Sequence, residues 1–271
     1  MPTAFELPTD ADGVIRGNTF FARQPAQGVI ILAHGYKGFK DWGMFPYAAS
    51  QLSEDHHVLT FNFSHNGVGE DLGTFSELEK FAVNTYSREL ADLALLLGYV
   101  TTQFELKRLP VYLIGHSRGA GVSLVYALDH PEQIAGVLSW NGVTNLDLFT
   151  PEQKEEMRTH GRSHVTNART NQQMPLDVSI LEDLDKYKER YAIIDRLASS
   201  SLRVALFQGT EDSQRLRDGS AALVRVRSDI PWHQIAGGNH TFNTVHPFQE
   251  TTPQLEQAIT ETLRQIAVWR Y

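Results

Sequence analysis

The sequence contains no cysteine, which excludes disulfides, thiolate metal sites and a cysteine nucleophile together. It has no apolar run approaching the roughly 20 residues a helix needs to span a bilayer. Its start, "MPTAFELPTDADG", lacks a basic end followed by an apolar stretch, so the reading is a soluble, cytoplasmic protein with no membrane span. Positive charge is scarce: 24 Lys and Arg stand against 32 Asp and Glu, a net charge of −8. No dense basic block could neutralise a row of phosphates, so nucleic acid is not an expected partner. Repeats and low-complexity linkers are missing too. With 271 residues, 41% of them hydrophobic, the chain can bury a sizeable core, and its length asks for no more than one domain over 1–271.

What the sequence does have is alternation. "AFEL" and "VIRGNTFFA" flank the turn-rich "PTDADG" and predict an opening antiparallel hairpin. Short, nearly all-apolar runs follow at 28–35, 56–64, 110–117, 134–142 and 202–209, as expected of central strands covered on both faces. Helical patterns lie between them. Leu90, Leu93, Ala94 and Leu97 share one face, Tyr187, Tyr191, Ile194 and Leu197 a second, and Leu255, Ile259, Leu263 and Ile266 a third, the last opened by Thr252 and Pro253. Strands alternating with helices of this length predict an α/β fold: a mostly parallel central sheet flanked by helices.

One stretch breaks the rhythm. Residues 143–185 are too long for an ordinary connection and read as an insertion. "TPEQKEEMRTHG" has a helical start at Thr150 and Pro151 and a stop at Gly161, and "SHVTNARTNQ" has the form of a short hairpin. Leu146, Leu148, Phe149, Met157 and Met174 give the insertion apolar packing, which favours an ordered lid over an active site.

In parallel sheets ligands sit beyond the carboxyl ends of the strands. Four such endings carry chemistry. In "YLIGHSRGAG" the glycines at 115 and 119 let strand and helix approach around a sharp turn that exposes Ser117 as a nucleophile. A tetrahedral oxyanion on that serine needs two preorganised N–H donors. The residue after the nucleophile, Arg118, supplies one, and the early "AHGYKG" loop supplies the other at Tyr36. In "FQGTEDSQ" Asp212 is the candidate acid, with Glu211 beside it and Asp147 as a less favoured substitute; capping of the next helix is its structural alternative. In "IAGGNHTF" His240 follows the last expected strand, "WHQIA". The order Ser117, Asp212, His240 matches the order this kind of fold uses. His34, His56, His57, His65 and His116 show no spacing with carboxylates that commends a metal, and no phosphate-binding glycine fingerprint occurs, so neither metal nor organic cofactor is expected.

Across essentially its whole length the sequence resembles the α/β-hydrolase superfamily. "AHGYKG", "GHSRGAG", "GTED" and "GGNHTF" look like its oxyanion loop, nucleophile elbow, acid turn and histidine loop. Within it the likeness is to bacterial dienelactone-hydrolase-like and cinnamoyl (feruloyl) esterases, with "FNFSHNGVGEDLGTF" and "NARTNQQMPL" standing where those have a glycine-rich stretch and a lid segment. Ser64-His65-Asn66 replaces the usual Arg-Gly-x, and "EDSQRL" lacks the common Val-Pro. The resemblance implies an α/β-hydrolase fold with an inserted lid and a serine esterase that cleaves small-molecule carboxylic esters, aryl or hydroxycinnamoyl esters among them, through an acyl-enzyme. A peptidase or thioesterase on the same triad, or a non-catalytic binding protein of this fold, are the alternatives. No feature fixes an oligomeric state.

Overall fold

The computed structural model describes residues 1–10, 12–103, 109–167 and 170–270. Strands β1 (Thr3–Pro8), β2 (Val14–Phe20), β3 (Val29–Ala33), β4 (His57–Asn62), β5 (Val111–His116), β6 (Gly136–Trp140), β9 (Val204–Gly209) and β10 (Trp232–Ile235) form one sheet in the order β1-β2-β4-β3-β5-β6-β9-β10. Pairing is parallel from β4 through β10, and the opening hairpin adds β1 and β2 antiparallel at one edge. Every residue of β3, β5, β6 and β9 is buried, whereas β2 alternates between buried and half-buried. The all-apolar runs are thus the strands covered on both faces, and the alternating one lies towards the edge.

Successive side chains of a strand point to opposite faces. In β5, Val111 and Leu113 enter a core shared with α3 (Tyr86–Gln103) and α4 (Arg118–Asp129), while Tyr112 and Ile114 enter one shared with α1 (Met44–Leu52) and α9 (Pro253–Trp269). Each fully buried Leu, Ile or Val contributes about 1.5–3 kcal/mol relative to exposure. The Thr252 side chain accepts the Leu255 N–H at 3.1 Å and so caps α9.

Between β6 and β9 the chain forms α5 (Pro151–His160), the two-stranded β7 (Arg162–Thr166) and β8 (Gln173–Asp177), α6 (Ser179–Lys186) and α7 (Ile193–Ala198). Thr150 and Gln153 form a reciprocal capping box at the start of α5, and Gly161 ends it at φ 77°. Residues 168–169, on which part of the expected short hairpin falls, lie outside the described residues, as does residue 11 of the expected opening hairpin. Met157, Met174, Leu176 and Ile180 of this segment pack with Phe39, Phe75 and Phe81 as a third core. Arg162 pairs with Glu79 through two hydrogen bonds, 3.0 and 2.8 Å, and Lys37 Nζ donates to the Thr166 carbonyl at 3.1 Å.

Two expectations need correction. On α3, Ala94 is exposed, and Leu96 and Val100 join Leu90, Leu93 and Leu97 in the core. The run from Tyr187 to Leu197 is not one helix: α6 ends at Lys186, turns follow, and α7 starts at Ile193, which is buried in place of Ile194. The Tyr191 hydroxyl donates to Asp183 at 3.0 Å, and Asp183 also accepts the Tyr86 and Ser87 N–H groups of α3 at 3.1 and 3.2 Å. That tie draws Tyr191 towards α3 and out of a continuous helix.

Candidate active site

The turn between β5 and α4 is as tight as its glycines allow. A Cβ on Gly119 would stand 2.4 Å from the His34 carbonyl oxygen, and one on Gly115 would stand 2.3 Å from Ala120 Cα. Neither position admits another residue without moving backbone. Between them Ser117 adopts φ 56° and ψ −120°, a conformation that costs a non-glycine residue on the order of 1–3 kcal/mol. Surrounding hydrogen bonds hold it there: the Ser117 N–H donates to the Trp140 carbonyl at 3.0 Å, and its carbonyl accepts the Val143 N–H at 3.1 Å. Arg118 is the first residue of α4, where an N–H has no partner inside the helix. The Tyr36 N–H likewise has no acceptor among the described residues.

His240 and Asp212 meet at the neighbouring strand ends. His240 Nδ1 lies 3.0 and 3.1 Å from the two Asp212 carboxylate oxygens. Because a carboxylate only accepts, Nδ1 carries the proton and Nε2 keeps its lone pair. The Asp212 side chain is 1% exposed and that of His240 is 39% exposed, so the acid is sequestered and the imidazole faces outward. Burial by itself would raise the Asp212 carboxyl, but the hydrogen bond from His240 and the attraction to its imidazole, with hydrogen bonds from the Ser213 N–H and Gln208, hold it below the ordinary aspartate value. Asp147, the substitute acid, instead pairs with Lys154, and Glu211 is exposed. Ser117 and His240 line one cavity of about 170 Å³, whose walls include Tyr36, Trp42, Phe45 and Thr241. No hydrogen bond joins the Ser117 hydroxyl to His240 among the described residues.

Three further residues, to which sequence reading gives no role in the triad, set this geometry. Asn141, at φ 46°, donates to the carbonyls of Asn239 and His240 at 3.2 and 3.0 Å and accepts from Gln208 Nε2 and the Gly209 N–H at 3.0 and 2.8 Å. One side chain thus ties the histidine loop to the acid turn. Gln208 Nε2 also donates to Asp212 at 2.8 Å, while its own oxygen accepts from Ser220 at 2.8 Å. His116 Nε2 donates to the His240 carbonyl at 2.7 Å, and burial lowers its pKa to about 3, which keeps the ring neutral. Asn141 ends a strand and carries the same positional signal as Ser117. Gln208 sits inside an apolar run and carries none.

Behind Tyr36, the buried His34 donates from Nδ1 to the Gly35 carbonyl at 2.9 Å and accepts the Phe63 N–H at 3.3 Å. Burial lowers its pKa to about 4. The Arg118 side chain is also buried. It pairs with Glu89 at 3.0 Å and donates to the Asn84 carbonyl at 3.1 Å. Among the described residues no three His, Asp or Glu side chains are arranged to hold a metal ion, and no helix is long and apolar enough to cross a membrane.

Among solved structures, Est1E from Butyrivibrio proteoclasticus superposes with a TM-score of 0.69 at 14% identity, covering 97% of this chain and 99% of that one. At that identity the likeness shows the fold, which is the α/β-hydrolase fold. Over 137 residues the chain is 28% identical to a candidate carbamate hydrolase, RutD of Klebsiella variicola (strain At-22), covering 51% of this chain and 46% of that protein. It is also 28% identical over 109 residues to the monoglyceride lipase of Rattus norvegicus, covering 40% of this chain and 33% of the lipase. The matches therefore span less than half the length of these relatives. A family model described as serine aminopeptidase, S33 matches residues 24–222, well over half of the chain. On that match the chain belongs to the serine aminopeptidase S33 family of hydrolases.

Proposed function

We propose that the chain is a serine hydrolase of carboxylic esters, with Ser117 as nucleophile, His240 as general base and acid, and Asp212 as the carboxylate that orients it. The observation that carries this reading is the conjunction of a strained Ser117 and an outward-facing, Asp212-bound His240 in one small cavity. His240 Nε2 takes the Ser117 proton as the hydroxyl attacks the ester carbonyl, and the N–H groups of Arg118 and Tyr36 receive the oxyanion. His240 then protonates the leaving alcohol, and water activated by the same nitrogen releases the acid. All of these groups belong to the chain itself. The segment 143–185 is the proposed lid: Phe149 lies edge-on to Tyr36 at 6.5 Å and Thr166 accepts from Lys37, which brings it against the oxyanion loop.

The family's name raises the second reading, an aminopeptidase on the same three residues. An aminopeptidase must hold a substrate ammonium, for which a carboxylate is the natural partner. None of the described residues that line the cavity is Asp or Glu, and Tyr36, Trp42 and Phe45 offer apolar rings instead. The lining therefore supports esters with an apolar acyl or alcohol part. Turnover of p-nitrophenyl acetate and butyrate beside aminoacyl p-nitroanilides separates the two. Ester turnover should dominate, and Ser117→Ala should reduce it by about 10⁶-fold with the fold intact. Retained turnover in that variant would falsify the nucleophile. Faster anilide turnover would favour the peptidase, and a wild-type chain inert to every substrate would favour a binding protein.

A further inference from the structure

The side chain of Arg118 has no place in the chemistry above, yet it is among the most enclosed charges in the molecule. Its side chain and that of Glu89 are each 3% exposed. Three hydrogen bonds link them to each other and to Asn84: Nε to Glu89 at 3.0 Å, one terminal nitrogen to the Asn84 carbonyl at 3.1 Å, and the Asn84 amide to the other Glu89 oxygen at 2.9 Å. The guanidinium also lies between two aromatic rings, its carbon 4.3 Å from the Tyr86 centroid and 5.4 Å from that of Tyr36. Tyr36 is held from another side by Phe81, stacked at 5.7 Å. Tyr86 is fixed in turn, its hydroxyl bonded to the Leu146 carbonyl and its N–H to Asp183.

A buried ion pair is a poor source of stability, since apolar residues of similar volume commonly do as well or better. What a planar, forked cation does supply is geometry: it fixes a carboxylate and two ring faces at once. Here one face belongs to the residue proposed to donate the second oxyanion hydrogen bond, and the cation itself projects from the residue proposed to donate the first. Both donors are therefore tied to one rigid assembly anchored on α3.

We propose that the Arg118 side chain, braced by Glu89 and Tyr86, is a positioning residue that holds the Tyr36 loop at the distance from the α4 N-terminus that an oxyanion requires. The inference rests on the ester-hydrolase reading above. It expects the assembly to act on the transition state and not on substrate binding.

Two variants test it. Arg118→Met combined with Glu89→Gln removes both charges and leaves no lone buried ion; Arg118→Lys keeps the charge but loses the fork and the flat face. With p-nitrophenyl butyrate, kcat should fall about 10²-fold in the double variant and about 10-fold in Arg118→Lys, with KM within about twofold. Across wild type and variants, affinity for a trifluoromethyl ketone, which adds to Ser117 as an oxyanion, should fall in proportion to kcat/KM. Affinity for the matching methyl ketone should not change. A folded double variant that keeps kcat within threefold overturns the inference, as does a fall in kcat with unchanged trifluoromethyl ketone affinity. If the double variant does not fold, Arg118→Lys decides by the same two readouts. Labelling by a fluorophosphonate, located by peptide mass, separates the levels. A wild-type chain unlabelled at Ser117 overturns the hydrolase reading and this inference with it, whereas a labelled wild type with an unimpaired variant overturns this inference alone.

Discussion

The two flanks of Ser117 are built from different materials. On the side of β6 and β9, His240 and Asp212 are held by neutral amides and a neutral imidazole: Asn141, Gln208 and His116. On the side of β3 and α3, the Tyr36 loop rests against a buried guanidinium, its carboxylate and a pair of tyrosine rings. The difference follows from what each flank must do. The Asp212 carboxylate already supplies the one charge that His240 needs when it takes up a proton, and further fixed ions beside the ring would bias its titration. Backbone donors carry no titrating proton, so their flank tolerates a full charge and gains the directional hold of an Arg fork.

The largest effect should come from the neutral flank. Asp212→Asn keeps the size of the side chain but removes its charge and turns one carboxylate oxygen into an NH2 donor that favours the wrong His240 tautomer, so kcat on a p-nitrophenyl ester should fall by about 10⁴-fold with little change in melting temperature. Loss of stability in place of activity would make Asp212 a structural residue, and the flank would lose its catalytic meaning. On the charged flank the ranking reverses. Glu89→Ala leaves a buried guanidinium without its counterion and should cost about 3–5 kcal/mol of stability, read by urea unfolding. Asn141→Ala removes four hydrogen bonds but strands only neutral groups, and should cost about 1–3 kcal/mol. Equal costs for the two would erase the distinction between the flanks.

This contrast also explains what the sequence could disclose. Strand-end residues were legible because the turn admits only glycine at 115 and 119 and because a nucleophile, acid and base must each stand at such an end. The central strands were legible because burial on both faces leaves few polar positions to interrupt the apolar runs. Glu89 and Asp183 were not, since each looks like an ordinary charged residue on a helix. Their burial depends on partners 29 and 97 positions away, Arg118 and Tyr86, and no local periodicity records that. The break before α7 was hidden for the same reason: the tie from Tyr191 to Asp183 and Ser87 competes with a helical pattern that is otherwise complete.

A buried carboxyl with no ion pair among the described residues sharpens the comparison further. Asp92, one turn beyond Glu89 on α3, accepts the Ser64 N–H at 2.7 Å and lies near His65, Arg88 and Glu89. Burial pushes its pKa up to about 7, with the Ser64 hydrogen bonds and Arg88 opposing and Glu89 adding to the rise. A carboxyl whose folded pKa is raised stabilises the fold fully below its unfolded value of about 3.9, and that contribution disappears as pH rises through about 7. Asn cannot ionise, so Asp92→Asn should match wild type near pH 4 and exceed it by on the order of 2–4 kcal/mol at pH 8. The buried histidines act in the opposite sense. His116 and His34, lowered to about 3 and about 4, draw stability away as pH falls below about 6.5, because the unfolded chain takes up protons that the folded one refuses. A stability profile of Asp92→Asn that still declines between pH 4 and 7 would mean that another group carries the neutral-pH slope.

The smallest effect is expected where the sequence offered a rival. Asp147 follows β6 and so stands at a strand end, as the acid of such a site can. Its carboxylate pairs with Lys154, accepts the Phe149 N–H at 3.4 Å and remains 38% exposed, while its carbonyl takes a hydrogen bond from Arg215 at 2.5 Å. A half-exposed pair of this kind contributes about 0–1 kcal/mol, since water screens the charges and ordering the Lys side chain costs entropy. Asp147→Asn keeps the side chain's size and should leave kcat within about twofold and stability within about 1 kcal/mol. The same substitution that cripples the chain at Asp212 should thus pass almost unnoticed at Asp147. A large loss of kcat at Asp147 with an active Asp212→Asn would move the acid to the loop after β6. It would also strip the Asn141–Gln208 network of the carboxylate around which it is arranged.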